Sequence, residues 1–204
     1  MARTKNFDRE EKLLLAMELF WQQGYADTSV SDLVNHLGIN RFSLYNTYVD
    51  KESLYREALD YYLKKISFPM LSESLHESAC YPDIVAYLKC FAALQREQKC
   101  GCFMQNAILE RAYNDDEVLD AGSQLYQALS GSFTNAIENA QRQGELRMII
   151  EPAKLSHFLV MQMQGIRVLG KARQYEMMDD AMSVLLMMLE GQKVSGANEQ
   201  TPDI

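Results

Sequence analysis

The sequence predicts an all-α protein in two parts, a small N-terminal three-helix domain and a larger helical C-terminal domain. Three observations carry this. Proline occurs only at Pro69, Pro82, Pro152 and Pro202, so long stretches contain no helix breaker. No alternating, β-branched run of strand length is present. Capping residues also recur at helix-length intervals, with Asp8, Ser29 and Asp50 at starts and Gly24, Gly38 and Gly144 at ends.

The first helix is expected over about residues 8–23, with Leu13, Ala16, Met17 and Phe20 as its buried stripe. The second follows Thr28-Ser29, where Ser29 and Asp32 have capping-box spacing and Val30, Leu33, Val34 and Leu37 supply the apolar face. Gly38 ends it, Ile39 turns inward, and a short third helix covers about residues 41–47. A fourth opens at Asp50 and should end at Pro69, with an irregular stretch up to Tyr81. Pro82 suits the first turn of a helix reaching about Gln98, and Cys100-Gly101-Cys102 breaks it. Further helices are expected over about residues 103–113, 116–143, 152–173 and 178–190. The small, polar tail after Gly191 reads as disordered.

The net charge of −8 argues at first against nucleic acid, but distribution matters more than the sum. Residues 1–66 hold 9 Lys and Arg against 10 Asp and Glu, a net −1, and the other 138 residues carry the remaining −7. Arg3, Lys5, Arg9 and Lys12 concentrate positive charge near the start. Against this near-neutral background, two short helices joined by a glycine turn read as a helix-turn-helix. Packing through Leu33, Leu37, Ile39 and Leu44 would fix the second helix so that its other face enters a major groove about 12 Å wide. That face is expected to carry Asn40, Arg41, Phe42, Ser43, Tyr45 and Asn46. Arg41 suits the two acceptors on a guanine edge, and Asn46 suits adenine. Phe42 has two readings, contact with a thymine methyl group or simple packing. Tyr45, Lys51 and the amides of the second helix with Thr28 and Ser29 are candidates for phosphates.

The run Glu18-Leu19-Phe20, Gly24-Tyr25, Thr28-Ser29-Val30, Asp32-Leu33, Leu37-Gly38-Ile39, Ser43-Leu44-Tyr45-Asn46-Thr47-Tyr48 and Lys51-Glu52-Ser53-Leu54 resembles the N-terminal domain of the TetR (tetracycline repressor-like) family. The resemblance covers about residues 9–60 without gaps. It implies that the segment around Ser43-Leu44-Tyr45 is the recognition helix and that Lys51 contacts a phosphate. Arg41 and Phe42 fall at positions that vary in the family, so they would set this protein's own operator. Gly101-Cys102-Phe103 with Asn106 and Glu110, and the segment 164–172, resemble one branch of the family.

Residues 67–204 are therefore expected to bind a small-molecule effector and to dimerise, with residues 1–66 binding double-stranded DNA at a near-palindromic operator. The apolar stripe Leu155, Phe158, Leu159, Ile166 and Leu169, with Gly165 and Gly170, and the all-apolar run Val184–Leu189 are candidates for the homodimer interface; a thick monomer core is the other reading. Phe91, Phe103, Met104, Tyr126 and Met163 are candidates to line the ligand pocket, although aromatics and methionines at helical spacing are more often plain core. Cys100 and Cys102 are candidates for a redox sensor or are inert, with Lys99 the nearby cation in the sequence.

Other classes fit less well. No glycine-rich phosphate loop, nucleophile elbow or His–carboxylate pair points to an enzyme. Three histidines and four cysteines show no zinc spacing, so no metal or other cofactor is expected. The charged segment Met1–Lys12 lacks an apolar secretion core, and no apolar run reaches the roughly 18 residues a membrane helix needs. A cytoplasmic protein is expected. A helical interaction module that has lost DNA binding is the remaining alternative.

Overall fold

The computed structural model describes residues 8–194 except Lys99. The helices are α1 (Arg9–Gln23), α2 (Val30–Leu37), α3 (Arg41–Tyr48), α4 (Lys51–Tyr62), α5 (Phe68–Ser74), α6 (Tyr81–Glu97), α7 (Phe103–Arg111), α8 (Asp116–Arg142), α9 (Pro152–Lys171) and α10 (Tyr175–Glu190). Arg3, Lys5 and the tail from residue 195, singled out in the sequence, lie outside the described residues, as does Lys99. An isolated antiparallel bridge pairs Leu146 with Lys193, so the start of the polar tail after Gly191 is held rather than disordered. No helix among the described residues is long and apolar enough to cross a membrane.

Local chemistry sets the helix ends. The Asp8 carboxylate accepts from the Glu10 and Glu11 amides, which α1 leaves unpaired, and Gly24 at φ 85° ends the helix where a side chain would strain. Ser29 and Asp32 form the complete capping box, and Gly38 in the left-handed region closes α2. Pro69 does not end the fourth helix, contrary to the sequence-based expectation. The chain passes from α4 through a π-helical turn, Leu63–Ser67, into α5 without a break. A proline ring collides with the carbonyl four residues before it. The wider π turn, in which the Phe68 amide donates to Leu63 O, makes room for the proline ring so that the helical path continues.

The chain divides into two compact units. Of the described residues, one holds those up to Leu71 together with Gln98–Leu129, and the other holds Ser72–Glu97 and those from Ser130 to Val194. In the first unit, Ala16, Met17 and Phe20 of α1 are buried with Leu54, Tyr55, Ala58 and Leu59 of α4. Phe103 enters this core from α7. Its ring meets Tyr55 at 5.6 Å and Tyr62 at 5.8 Å, edge to face, the geometry favoured by the ring quadrupoles. The Trp21 indole N–H donates to Gly101 O at 2.9 Å and so ties α1 to the loop before α7. Gly122 on α8 must lack a side chain, because a Cβ there would sit 2.6 Å from Ile108 Cδ1.

In the second unit α6, the later part of α8, α9 and α10 pack together. Gly170 lets α9 approach α6, since a Cβ would fall 2.5 Å from the Gln95 Cβ. This corrects its expected place at a subunit contact. Leu155, Leu159 and Ile166 of α9 and Leu185 of α10 are likewise buried within the chain. Apolar side chains left outside include Met161 and Val168 on α9 and Met177, Val184, Met187 and Met188 on α10.

Candidate nucleic-acid interface

Helices α2 and α3 form the expected pair. Leu33, Leu37 and Leu44 are at most 1 % exposed and Ile39 joins them in the core, so α3 has one orientation. Asn40 caps α3 by accepting from the Ser43 amide at 2.8 Å. Tyr48, at the other end of α3, buries its ring and donates its hydroxyl to Arg9 O at 2.7 Å. Burial pushes the Tyr48 hydroxyl up to about 12, so it stays a proton donor at any physiological pH.

With Leu44 and Tyr48 turned inward, the outer face of α3 presents Arg41, Phe42, Tyr45 and Asn46, while Ser43 is half-buried. Phe42 is 76 % exposed, so of its two readings packing within the chain is ruled out. Arg41 and Tyr45 are one turn apart and touch. The guanidinium carbon lies 5.6 Å from the ring centroid, and Nη2 donates to the Tyr45 hydroxyl at 3.4 Å.

The surroundings differ in what they offer. Ser29 is exposed, but Thr28 is fully buried and donates its hydroxyl to Gly24 O at 2.6 Å. The Thr28 side chain therefore shapes the turn before Ser29 and is not presented to a partner. Asp32 stays well below the usual carboxylate range because Ser29 hydrogen-bonds it. Lys51, the first residue of α4, is half-buried, with Nζ 4.1 Å from the Tyr25 ring centroid. Burial lowers its pKa and the Glu110 carboxylate works against that.

The connection between α3 and α4 is only two residues, Val49 and Asp50. Val49 sits at φ 67°, ψ −63°, and the Asp50 amide donates across it to Tyr48 O at 2.7 Å. This is a γ-turn of the rare, strained hand, on a β-branched residue. It brings Asp50 straight into position to cap α4 through the Ser53 amide, with Lys51 next to it.

Residues that sequence reasoning did not assign also reach this region. Glu110 of α7 accepts from the amides of Tyr25 and Ala26, and Arg111 lies 3.7 Å from the Tyr25 ring centroid. Glu110 had stood out only as part of the branch pattern. Its contact with Ala26 spans 84 residues, beyond the reach of local patterning.

The pocket candidates fall in both units. Phe103, Met104 and the half-buried Tyr126 belong to the first, and Phe91 and Met163, both buried, to the second. Cys102 is buried and its sulfur accepts from the Tyr62 hydroxyl at 3.4 Å, whereas Cys100 is half-buried. Among the described residues no group of His, Cys, Asp and Glu side chains has the arrangement to hold a metal ion.

Known proteins share both parts of this chain. Residues 13–58 match the family described as bacterial regulatory proteins, tetR family, and residues 83–185 match the tetracyclin repressor-like C-terminal domain. The HTH-type transcriptional repressor ComR of Escherichia coli (strain K12) is 29 % identical over 171 residues, covering 81 % of this chain and 80 % of ComR. The uncharacterized HTH-type regulator YezE of Bacillus subtilis (strain 168) is 31 % identical over 149 residues, 72 % of this chain and 76 % of YezE. Among solved structures, a cysteine-substituted form of the TetR family regulator CifR, complexed with 26 bp double-strand operator DNA, superposes with a TM-score of 0.74 at 25 % identity, covering 89 % of this chain and 98 % of that one. Reduced NemR of E. coli has the same fold, with a TM-score of 0.75 at 19 % identity, over 91 % of this chain and 97 % of that one. With an exposed reading helix held on a conventional core and family matches along both parts, the chain belongs to the tetR family of helix-turn-helix transcriptional regulators, a family of DNA-binding proteins rather than enzymes.

Proposed function

We propose that this regulator is a cytoplasmic homodimeric repressor whose residues 1–66 bind a near-palindromic operator and whose residues 67–204 dimerise and take up a small-molecule effector that releases the DNA. The observation that carries the reading is the outer face of α3, where Arg41, Phe42, Tyr45 and Asn46 stand in solvent while Leu44 and Tyr48 anchor the opposite side. Such a face suits a major groove, and it favours DNA over an interaction module that has lost DNA binding. Arg41 reads guanine, Phe42 packs on a thymine methyl, and Asn46 pairs with adenine where it reaches. Ser43, Tyr45, Lys51 and the Ser29 end of α2 meet phosphates, while Thr28 and Asn40 hold the backbone that presents them.

Dimerisation is supported by the apolar side chains left uncovered on α9 and α10. A two-fold dimer presents two copies of α3 to successive major grooves. Phe91, Phe103, Met104, Tyr126 and Met163 remain the candidates for effector contact, and ligand affinity that depends on half-site separation would couple the two sites.

The test is a fluorescence-anisotropy titration on duplexes from the promoter of the chain's own gene and on scrambled duplexes, with mass spectrometry of any ligand that co-purifies. Preference for a promoter duplex, weakened by adding back that ligand, is the expected result. Equal affinity for both duplexes would overturn the reading.

A further inference from the structure

We infer that Glu110 and Arg111 are positioning residues for operator binding, fixing the α1–α2 turn and, through Tyr25, the Lys51 side chain that meets the DNA backbone. The inference rests on the DNA-binding reading above. It concerns a grip on the reading domain from a helix more than 80 residues away in sequence.

The turn between Gly24 and Ser29 leads directly into α2, so its conformation sets where the α2 N-terminus points. Two of its amides are held at one carboxylate. Tyr25 N donates to Glu110 Oε2 at 2.9 Å, and Ala26 N donates to Oε1 at 2.7 Å. Using both oxygens fixes the orientation of the turn as well as its distance, and bonds to a charged acceptor are about twice as strong as neutral ones. The turn is pressed close, since a Cβ on Gly24 would fall 3.2 Å from Glu110 Oε2.

Arg111 works on the side chain of the same turn. Its guanidinium carbon lies 3.7 Å from the Tyr25 ring centroid, and its Nη2 donates to Asp115 at 2.7 Å and to Glu52 at 3.0 Å. Lys51 Nζ is 4.1 Å from the same ring centroid. Two cations on one ring repel each other, and for Lys51 the Glu110 carboxylate offsets this most, with a smaller contribution from Asp32. Removing the Glu110 carboxylate would loosen the turn and leave Lys51 beside Arg111 with less compensating charge.

The sign of the effect separates positioning from bulk electrostatics. Glu110→Gln removes a negative charge, which by simple attraction should strengthen binding to a polyanion. Positioning predicts the opposite. The introduced carboxamide has one acceptor oxygen for two amides, and its NH2 group faces the other.

The experiment titrates wild type, Glu110→Gln, Tyr25→Phe and Tyr25→Leu on own-promoter and scrambled duplexes across a salt series. Hydrogen exchange at residues 25 and 26 and thermal unfolding are followed alongside. Glu110→Gln should remain folded, exchange faster at those amides and bind both duplexes about tenfold more weakly, a factor that corresponds to one charge-assisted hydrogen bond. Its salt slope should fall by about one unit per subunit, as expected for loss of one phosphate contact. Tyr25→Phe should keep the wild-type salt slope, because the ring under Lys51 is kept although the hydroxyl's contact with Arg111 is lost, and Tyr25→Leu should lose the same unit of salt slope. Faster exchange with unchanged or tighter DNA binding would overturn the inference, as would weaker binding at an unchanged salt slope. If Glu110→Gln does not fold, the tyrosine pair decides: a wild-type salt slope in Tyr25→Leu overturns the inference. A wild type that binds neither duplex overturns the DNA-binding reading itself, and this inference with it.

Discussion

Each of the two units buries an apolar core, and their exposed helices differ in chemistry. The first shows solvent a short helix carrying a guanidinium, a phenol, an amide and one aromatic ring. The second shows solvent methionines and valines on α9 and α10. One surface offers hydrogen bonds and a charge to a partner, and the other offers mainly apolar contact. On the proposed reading, the contrast accounts for DNA binding by a chain of net charge −8: the surface offered to the groove is small and selectively furnished, whatever the rest of the molecule carries.

The largest test of this contrast acts on the apolar surface. Val184→Asp with Met187→Asp should convert the proposed dimer to a species near the single-chain mass of 23.4 kDa by light scattering, with each chain still folded, because both side chains are more than half exposed. Operator binding should fall at least about 100-fold as the two linked contacts become independent, within the usual range for such avidity effects. A double variant that stays dimeric would move the interface elsewhere. Leu185 is unsuitable for this test, since it is buried and its replacement would damage the fold.

A smaller effect is expected where the reading domain meets α7 and α8. Asp115 is buried and accepts from Arg111, and Arg56 lies beside it. Burial alone would raise its pKa, but the bond from Arg111, the Val118 amide and the Arg56 charge together hold it below the usual range. A carboxylate depressed in the folded state stabilises above its unfolded pKa and loses that contribution as pH falls through its folded value. Asp115→Asn should therefore cost about 3 kcal/mol at neutral pH, typical of a broken buried pair. The gap from wild type should stay constant above about pH 5 and narrow below about pH 4, the ordinary aspartate region. A gap independent of pH would mean that Asp115 contributes by shape rather than charge.

The smallest change expected is at Val49. Glycine adopts the γ-turn without a Cβ penalty but adds freedom to the unfolded chain, so Val49→Gly should gain at most about 1 kcal/mol. Denaturant unfolding measures this directly. A clear loss of stability would show that Val49 is not strained.

The reading domain was largely legible in the sequence because caps are local. Asp8, the Ser29–Asp32 box and Gly38 act within a few residues of themselves, and each stands where its residue type requires. The fourth helix was misread because Pro69 is normally a stop, and whether a π turn relieves it depends on the residues before it. The C-terminal surface was misread for a different reason. Where Val184–Leu189 is apolar all round, only tertiary neighbours decide that Leu185 turns inward and Met187 outward. Glu110 was beyond reach because a carboxylate meeting two turn amides leaves no periodic signature.

On the proposed function, α3 reads sequence while Lys51 only holds the backbone. Arg41→Ala and Lys51→Ala, each titrated on own-promoter and scrambled duplexes over a range of salt, test it most directly. Arg41→Ala should lose about 1–3 kcal/mol on the promoter duplex, the discrimination of a good bidentate contact, and little on the scrambled one. Lys51→Ala should weaken both alike and lower the salt slope by about one unit per subunit. Equal losses on both duplexes for Arg41→Ala would contradict the account, making Arg41 a backbone contact and moving sequence reading to Phe42, Ser43 or Asn46.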